Sequence, residues 1–121
     1  MSSLNLAEKF STFSDHWSPR IIAQLNDYHV KLAKVEGRFP WHKHDETDEL
    51  FMVIAGHLSI DMRIDGKEET VELAQGELFV VPKGIEHAPH AKSGTQILLL
   101  EPAGTVNTGG AKDEGTTGEW I

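Results

Sequence analysis

Apolar positions along the chain change period once, near residue 20. Before it, Leu6, Phe10 and Phe13 recur at i, i+4 and i+7, the spacing of one helix face, and Asn5 stands where a cap would accept from the first free N–H groups. This predicts a short N-terminal helix, broken by Trp17, Ser18 and Pro19. After it the pattern is strand-like. Tyr28, Val30 and Leu32 alternate with His29, Lys31 and Ala33. Leu50–Ala55 is a continuous apolar run between a polar loop and Gly56, which suits a strand buried on both faces. Leu58, Ile60, Met62 and Ile64 alternate with Ser59, Asp61 and Arg63, and Asp65-Gly66 then turns the chain into a return strand carrying Val71 and Leu73. Gly76 precedes a strand over Leu78–Val81 that Pro82 and Gly84 close, and Gln96–Glu101 is the last apolar run. Strands at this spacing with Gly/Pro punctuation predict an all-β sandwich or barrel.

With 121 residues the chain fits one domain. It reads as an N-terminal helix and edge segment over 1–27, a barrel over 28–103, and a tail over 104–121. The tail is rich in Gly, Thr and charge and is expected to be loosely ordered, with Trp120 and Ile121 able to dock it. The chain has no cysteine, which removes disulfides, thiol nucleophiles, iron–sulfur clusters and Cys-ligated zinc. Eleven basic against nineteen acidic residues give a net charge of −8, which argues against binding to nucleic acid or anionic membranes. No apolar run approaches the ~20 residues of a membrane span. MSSLNLAEKF lacks the basic and apolar regions of a signal peptide, so the expected location is the cytoplasm.

Seven histidines are the unusual feature. His42 and His44 are two apart, and on a strand i and i+2 point the same way. Asp45–Asp48 is a polar loop, and Glu49 opens the next strand. In a second segment Pro82 and Gly84 set a turn, and His87 starts the strand beyond it. If the two segments are neighbours in a barrel, His87 completes a site of three nitrogens and one oxygen, a donor set suited to Zn, Fe, Ni, Cu or Mn. A lone histidine is more often a surface residue and His-x-His alone is weak, so the case rests on joint spacing.

That joint spacing resembles the paired motifs of the cupin superfamily. The first, G-x5-H-x-H-x3–4-E-x6-G, is matched by Gly37, His42, His44, Glu49 and Gly56, one residue short between Gly37 and His42. The second, G-x5-P-x-G-x2-H-x3-N, is matched by Gly76, Pro82, Gly84 and His87, with Ala91 in place of Asn. The resemblance implies a single-domain jelly-roll barrel (double-stranded β-helix) holding one divalent transition metal (Zn, Mn, Fe or Ni) in its mouth. His42, His44, Glu49 and His87 are its implied ligands. The compact form is similar to small bacterial cupins grouped with mannose-6-phosphate isomerase. A phosphosugar enzyme also needs basic residues for the phosphate; Lys83 and Lys92 are the only cations near the second motif, so that reaction is discounted. The reading is a metalloenzyme of isomerase or oxygenase type acting on a small oxygen-rich molecule, the alternative a non-catalytic metal or small-ligand module or sensor.

Around the motifs, His90 and Tyr28 are the candidate acid–base residues, although His90, three residues past His87, faces away on a straight strand. His57 is read as solvated, and His16 and His29 as having no metal role. Phe51, Val53, Phe79 and Val81 are expected to form a dry apolar wall, and Trp41 to pack outside it. Asp45, Glu46 and Asp48 form a solvated acidic loop, unless one of them orients an imidazole. Leu6, Phe10, Phe13, Trp17, Ile21, Ile22 and Leu25 are more apolar material than a small barrel needs, and 20–25 could pair with an edge. Small cupins frequently dimerise through such a strand, so the expected partners are a small molecule and a second copy in a homodimer.

Overall fold

A computed structural model describes residues 1–109 and 115–121. Helix α1 (Leu6–Phe10) is followed by β1 (Arg20–Leu25), β2 (Tyr28–Arg38), β3 (Glu49–Ala55), β4 (His57–Ile64), β5 (Lys67–Ala74), β6 (Leu78–Val81), β7 (Glu86–Pro102) and β8 (Glu119–Trp120). This is the expected all-β jelly-roll with one short helix. Asn5 caps α1 through its side chain, which accepts from Glu8 N at 3.0 Å.

The strands run in the order β5-β4-β7-β2-β1-β8, and β3 pairs with both β6 and β7. The organising element is β7. The sequence reading starts one strand at His87 and sets Gln96–Glu101 apart as a last apolar run; instead one 17-residue strand spans Glu86–Pro102. Its first half pairs with β4, from Met62↔His87 to Leu58↔Ala91. Its second half lies between β2 and β3, with Leu32↔Leu98 on one side and Met52↔Leu98 on the other. The ladder with β2 breaks register at the polar interruption: Val35↔Thr95 is followed by Gly37↔Ala91, so Lys92-Ser93-Gly94 bulges out between the two paired halves.

The period-two alternation sorts residues into two cores. Ala33, Val35, Phe51, Val53, Leu58, Ile60, Met62, Leu73, Val81, Ile97 and Leu99 fill the barrel, with Phe79 packed against them. On the outer side Leu32 and Ile22 meet Phe10 and Phe13, with Leu6, Ile54, Leu98 and Ile121 alongside. The N-terminal apolar residues are therefore largely used within the chain: Phe10, Phe13, Ile21 and Ile22 are buried, while Leu25 is exposed. Strand β1 is paired on both sides, by β2 and by β8 in parallel. Within the C-terminal tail, Glu119–Trp120 forms β8 and Ile121 O accepts from Lys9 Nζ at 3.1 Å; residues 110–114 of that tail lie outside the described residues.

Candidate metal centre

The two histidine segments meet at the barrel mouth through backbone pairing. His42 N donates to His87 O at 3.0 Å and His87 N to His42 O at 2.8 Å. This closely spaced antiparallel pair puts the two side chains on one face, and the rings lie 4.2 Å apart between centroids. Gly84 N donates to His44 O at 2.8 Å, and Lys83 N donates to Asp48 Oδ1 at 2.9 Å. The Pro82–Gly84 turn is thus tied to both ends of the first segment. Glu49 enters from the start of β3, on the same face as Phe51 and Val53.

His42, His44, Glu49 and His87 each offer one ligand atom, and these atoms all lie within 4.8 Å of one another. All four residues are buried. His44 Nε2 and His87 Nε2 each stand 3.4 Å from Glu49 Oε1, yet all three atoms are buried without a hydrogen-bond partner. Leaving one such polar atom unpaired costs about 1–3 kcal/mol; three facing one point make a cradle for a cation. The tautomers agree. His42 Nδ1 lies 2.8 Å from Pro40 O and His87 Nδ1 lies 2.9 Å from Ile85 O. A carbonyl only accepts, so each Nδ1 donates, and in the neutral ring that tautomer leaves the Nε2 lone pair for a ligand bond. The orienting groups are therefore backbone carbonyls; of the acidic loop, Asp48 holds Lys83 N and Asp45 pairs with Lys43 at 3.2 Å.

Burial, reinforced by His87, lowers the His42 imidazole to about 4, so it is neutral at pH 7. Burial pushes Glu49 upward, but the neighbouring Glu101, His44 and His87 outweigh it and hold the carboxyl well below its usual range. Behind Glu49 lies a feature the sequence reading did not pick out. Lys31 Nζ donates to Glu101 Oε1 at 2.8 Å, both side chains at most 1% exposed. They occupy the inward positions of β2 and β7 that Ala33, Val35, Ile97 and Leu99 continue. Burial pushes Glu101 up to about 9, and the neighbouring Glu49 carboxylate adds to this while Lys31 opposes it. Glu101 is thereby pushed toward its neutral form, while its Oε2 has no hydrogen-bond partner. The sequence pattern hides this pair: Lys31 lies opposite the Tyr28, Val30 and Leu32 face, and Glu101 ends an uninterrupted apolar run.

A small, mostly apolar cavity, open to solvent at its mouth, adjoins the cluster. Ala33, Val35, Phe51, Ile97 and Leu99 form its floor and Trp17, Phe39 and Pro89 its sides, with His42 and Glu49 as the cluster residues that face it. Phe51 is in the wall as expected; Val53 and Val81 lie in the core below. Trp41 is outside, under the Arg63 guanidinium at 3.8 Å. The structure does not bring His90 or Tyr28 to the cluster. His90 Nε2 lies 3.4 Å from Asp61 Oδ1 and borders a separate surface cleft with His57, Ser59, Glu72 and Lys92. Tyr28 is exposed at the start of β2.

A family model described as "Cupin domain" matches residues 28–101. The chain is 35% identical over 94 residues to "Uncharacterized protein YdbB" of Bacillus subtilis (strain 168), covering 78% of this chain and 74% of that one. It is 33% identical over 88 residues to 3-hydroxyanthranilate 3,4-dioxygenase of Burkholderia cenocepacia, covering 69% of this chain. The matched part is 50% of that dioxygenase. The crystal structure of a cupin-2 domain containing protein from Shewanella frigidimarina is similar with a TM-score of 0.77 and 50% sequence identity, over 82% of this chain and 93% of that one.

Proposed function

Because this chain belongs to the cupin domain family, we propose that it is a metal-dependent oxygenase that acts on a small hydroxylated organic molecule. The observation that carries the reading is the trio of buried, unpartnered atoms, His44 Nε2, His87 Nε2 and Glu49 Oε1, beside an apolar cavity. Neutral imidazoles and a carboxylate fit a divalent iron or manganese ion. Such an ion would supply redox and Lewis-acid chemistry toward a substrate oxygen and O₂. Dioxygenation balances without an outside reductant: both atoms of O₂ enter the product.

The chain's own residues do the rest. Pro40 O and Ile85 O hold two imidazoles in the ligating tautomer, and Phe51, Ile97 and Leu99 keep bulk water from the site. An isomerase would need a free acid–base residue beside the substrate. Among the described residues lining the cavity, the titratable ones are His42 and Glu49, both of them in the ligand cluster. This favours the oxygenase over the isomerase, as does the similarity to a dioxygenase.

The test is metal analysis of protein purified without chelator, then oxygen uptake after Fe(II) reconstitution, with a panel of hydroxylated aromatics that includes 3-hydroxyanthranilate. Expected is uptake that His87→Ala abolishes. Stoichiometric metal with no uptake on any member would replace the enzyme by a binding module.

A further inference from the structure

Trp17 occupies a backbone conformation in which tryptophan is not at ease. Its φ is 57°, the left-handed region, where a side chain crowds its own carbonyl and which Gly, Asn and Asp tolerate best. Among the described residues, the other non-glycines there are Asn26 and Asp65, both of the tolerant kind. Three hydrogen bonds keep Trp17 in place. Its N–H donates to Lys34 O at 2.9 Å, its indole Nε1 donates to Glu36 O at 2.9 Å, and its carbonyl accepts from Asn107 Nδ2 at 3.0 Å. The ring lies against Phe39 at 4.9 Å, and Phe39 meets His42 edge-on at 5.2 Å. Trp17 thus hangs from the segment before β1 and forms one side of the cavity whose floor the barrel strands provide. A bulky residue kept at a strained position next to a candidate metal site points to a use for its ring.

We propose that Trp17 is the specificity-determining residue of this centre: its ring limits the cavity to a small, flat, uncharged body that presents one polar atom toward His42 and Glu49. This rests on the reading of His42, His44, Glu49 and His87 as a metal site. The lining fits such a ligand. Asn107, its remaining polar member, spends Nδ2 on Trp17 O and Oδ1 on Thr116 N, and no described lining residue carries a positive side chain. Ring contacts therefore do the holding, and a second fused ring would meet the indole.

The experiment titrates Co(II)-loaded protein with phenol and with 2-naphthol, following the cobalt d–d absorption. Trp17→Gly removes the ring from a backbone that glycine adopts freely, and Trp17→Phe leaves a smaller ring. Wild type should prefer phenol by about tenfold or more, the discrimination a close-fitting apolar wall gives against a few extra carbon atoms. Trp17→Gly should erase that preference and Trp17→Phe fall between. A thermal melt confirms folding, and Trp17→Phe carries the test if the glycine variant is unfolded. A purely structural Trp17 would change stability but not the ratio of affinities, so an unchanged ratio in the folded variants overturns the proposal. Cobalt bound with no spectral response to either probe overturns it while leaving the metal site standing. Cobalt binding that is absent, or indifferent to His87→Ala, overturns the metal reading and the proposal together.

Discussion

Replacing Lys31 by methionine, with the metal chelated, probes the charge arrangement behind Glu49. The Lys31 ammonium and Glu101 carboxyl are 2.8 Å apart and at most 1% exposed. Removing one partner of a buried pair costs about 3–5 kcal/mol when the other is left as an uncompensated charge. The two removals are not equivalent here. Burial and Glu49 push Glu101 up to about 9, so at pH 7 Lys31→Met leaves behind a neutral acid. What is lost is a charged donor's hydrogen bond, about 1.5–3 kcal/mol, together with the contact to Thr105 O at 3.3 Å. Glu101→Leu instead strands a buried ammonium and should cost the full 3–5 kcal/mol or about that. The double variant Lys31→Met/Glu101→Leu, apolar throughout, should return to within about 1 kcal/mol of wild type. Urea unfolding at pH 7 followed by circular dichroism gives all three values. Thermal melts should follow at about 4 °C per kcal/mol for a domain of this size. Equal losses from the two single variants would mean that Glu101 is ionised. A double variant as unstable as the worse single one would refute the mutual dependence of Lys31 and Glu101 altogether.

Metal should stabilise the fold by about 2.7 kcal/mol at a free concentration near 100 times Kd; a melt with and without chelator measures it, and His87→Ala should remove the difference. His42 is about 4 in the fold against 6.5 unfolded, so the unfolded chain binds the extra proton between those values. The stability from neutral His42 is complete above pH 6.5 and lost as pH falls toward 4, about 3 kcal/mol in all. Glu101, raised in the fold, titrates in the opposite sense, so the measurement is the difference between metal-free wild type and His42→Gln across pH 4–7, which should shrink toward the acid end. Gly56→Ala should cost about 3 kcal/mol in urea unfolding, because φ is 89° and the new Cβ would lie 2.7 Å from Thr95 Cα.

What was legible in the sequence is what short-range periodicity encodes. The N-terminal helix, the 58–64 alternation and the Asp65-Gly66 turn each follow from local chemistry and appear in the structure, although the helix stops at Phe10, short of Phe13 and of the expected break at Trp17. The ligand cluster was legible because His42 and His44 share a strand face and a turn fixes His87 relative to Pro82. Trp17 was legible as a helix breaker and as spare apolar material, not as a cavity wall: its place depends on contacts with Lys34, Glu36 and Asn107, which no local pattern brings together. His90 shows the converse limit. It lies close to a ligand in sequence, but along a continuous strand an offset of three turns the side chain to the other face.

The long strand β7 also dictates when the centre can exist. It supplies His87 and Glu101 and is the common neighbour of β2, β3 and β4. It is also the last long element to leave the ribosome. Until about residue 102 has emerged, Tyr28 lacks its partner Pro102, and β2 and β3 have nothing between them. A nascent chain that already carries His42, His44 and Glu49 thus has three donors without a scaffold, and pairings this distant in sequence close slowly. Assembly of this cluster is thereby tied to the synthesis of β7, and a chain cut short before β7 would present loose histidines and unpaired strand edges to its surroundings.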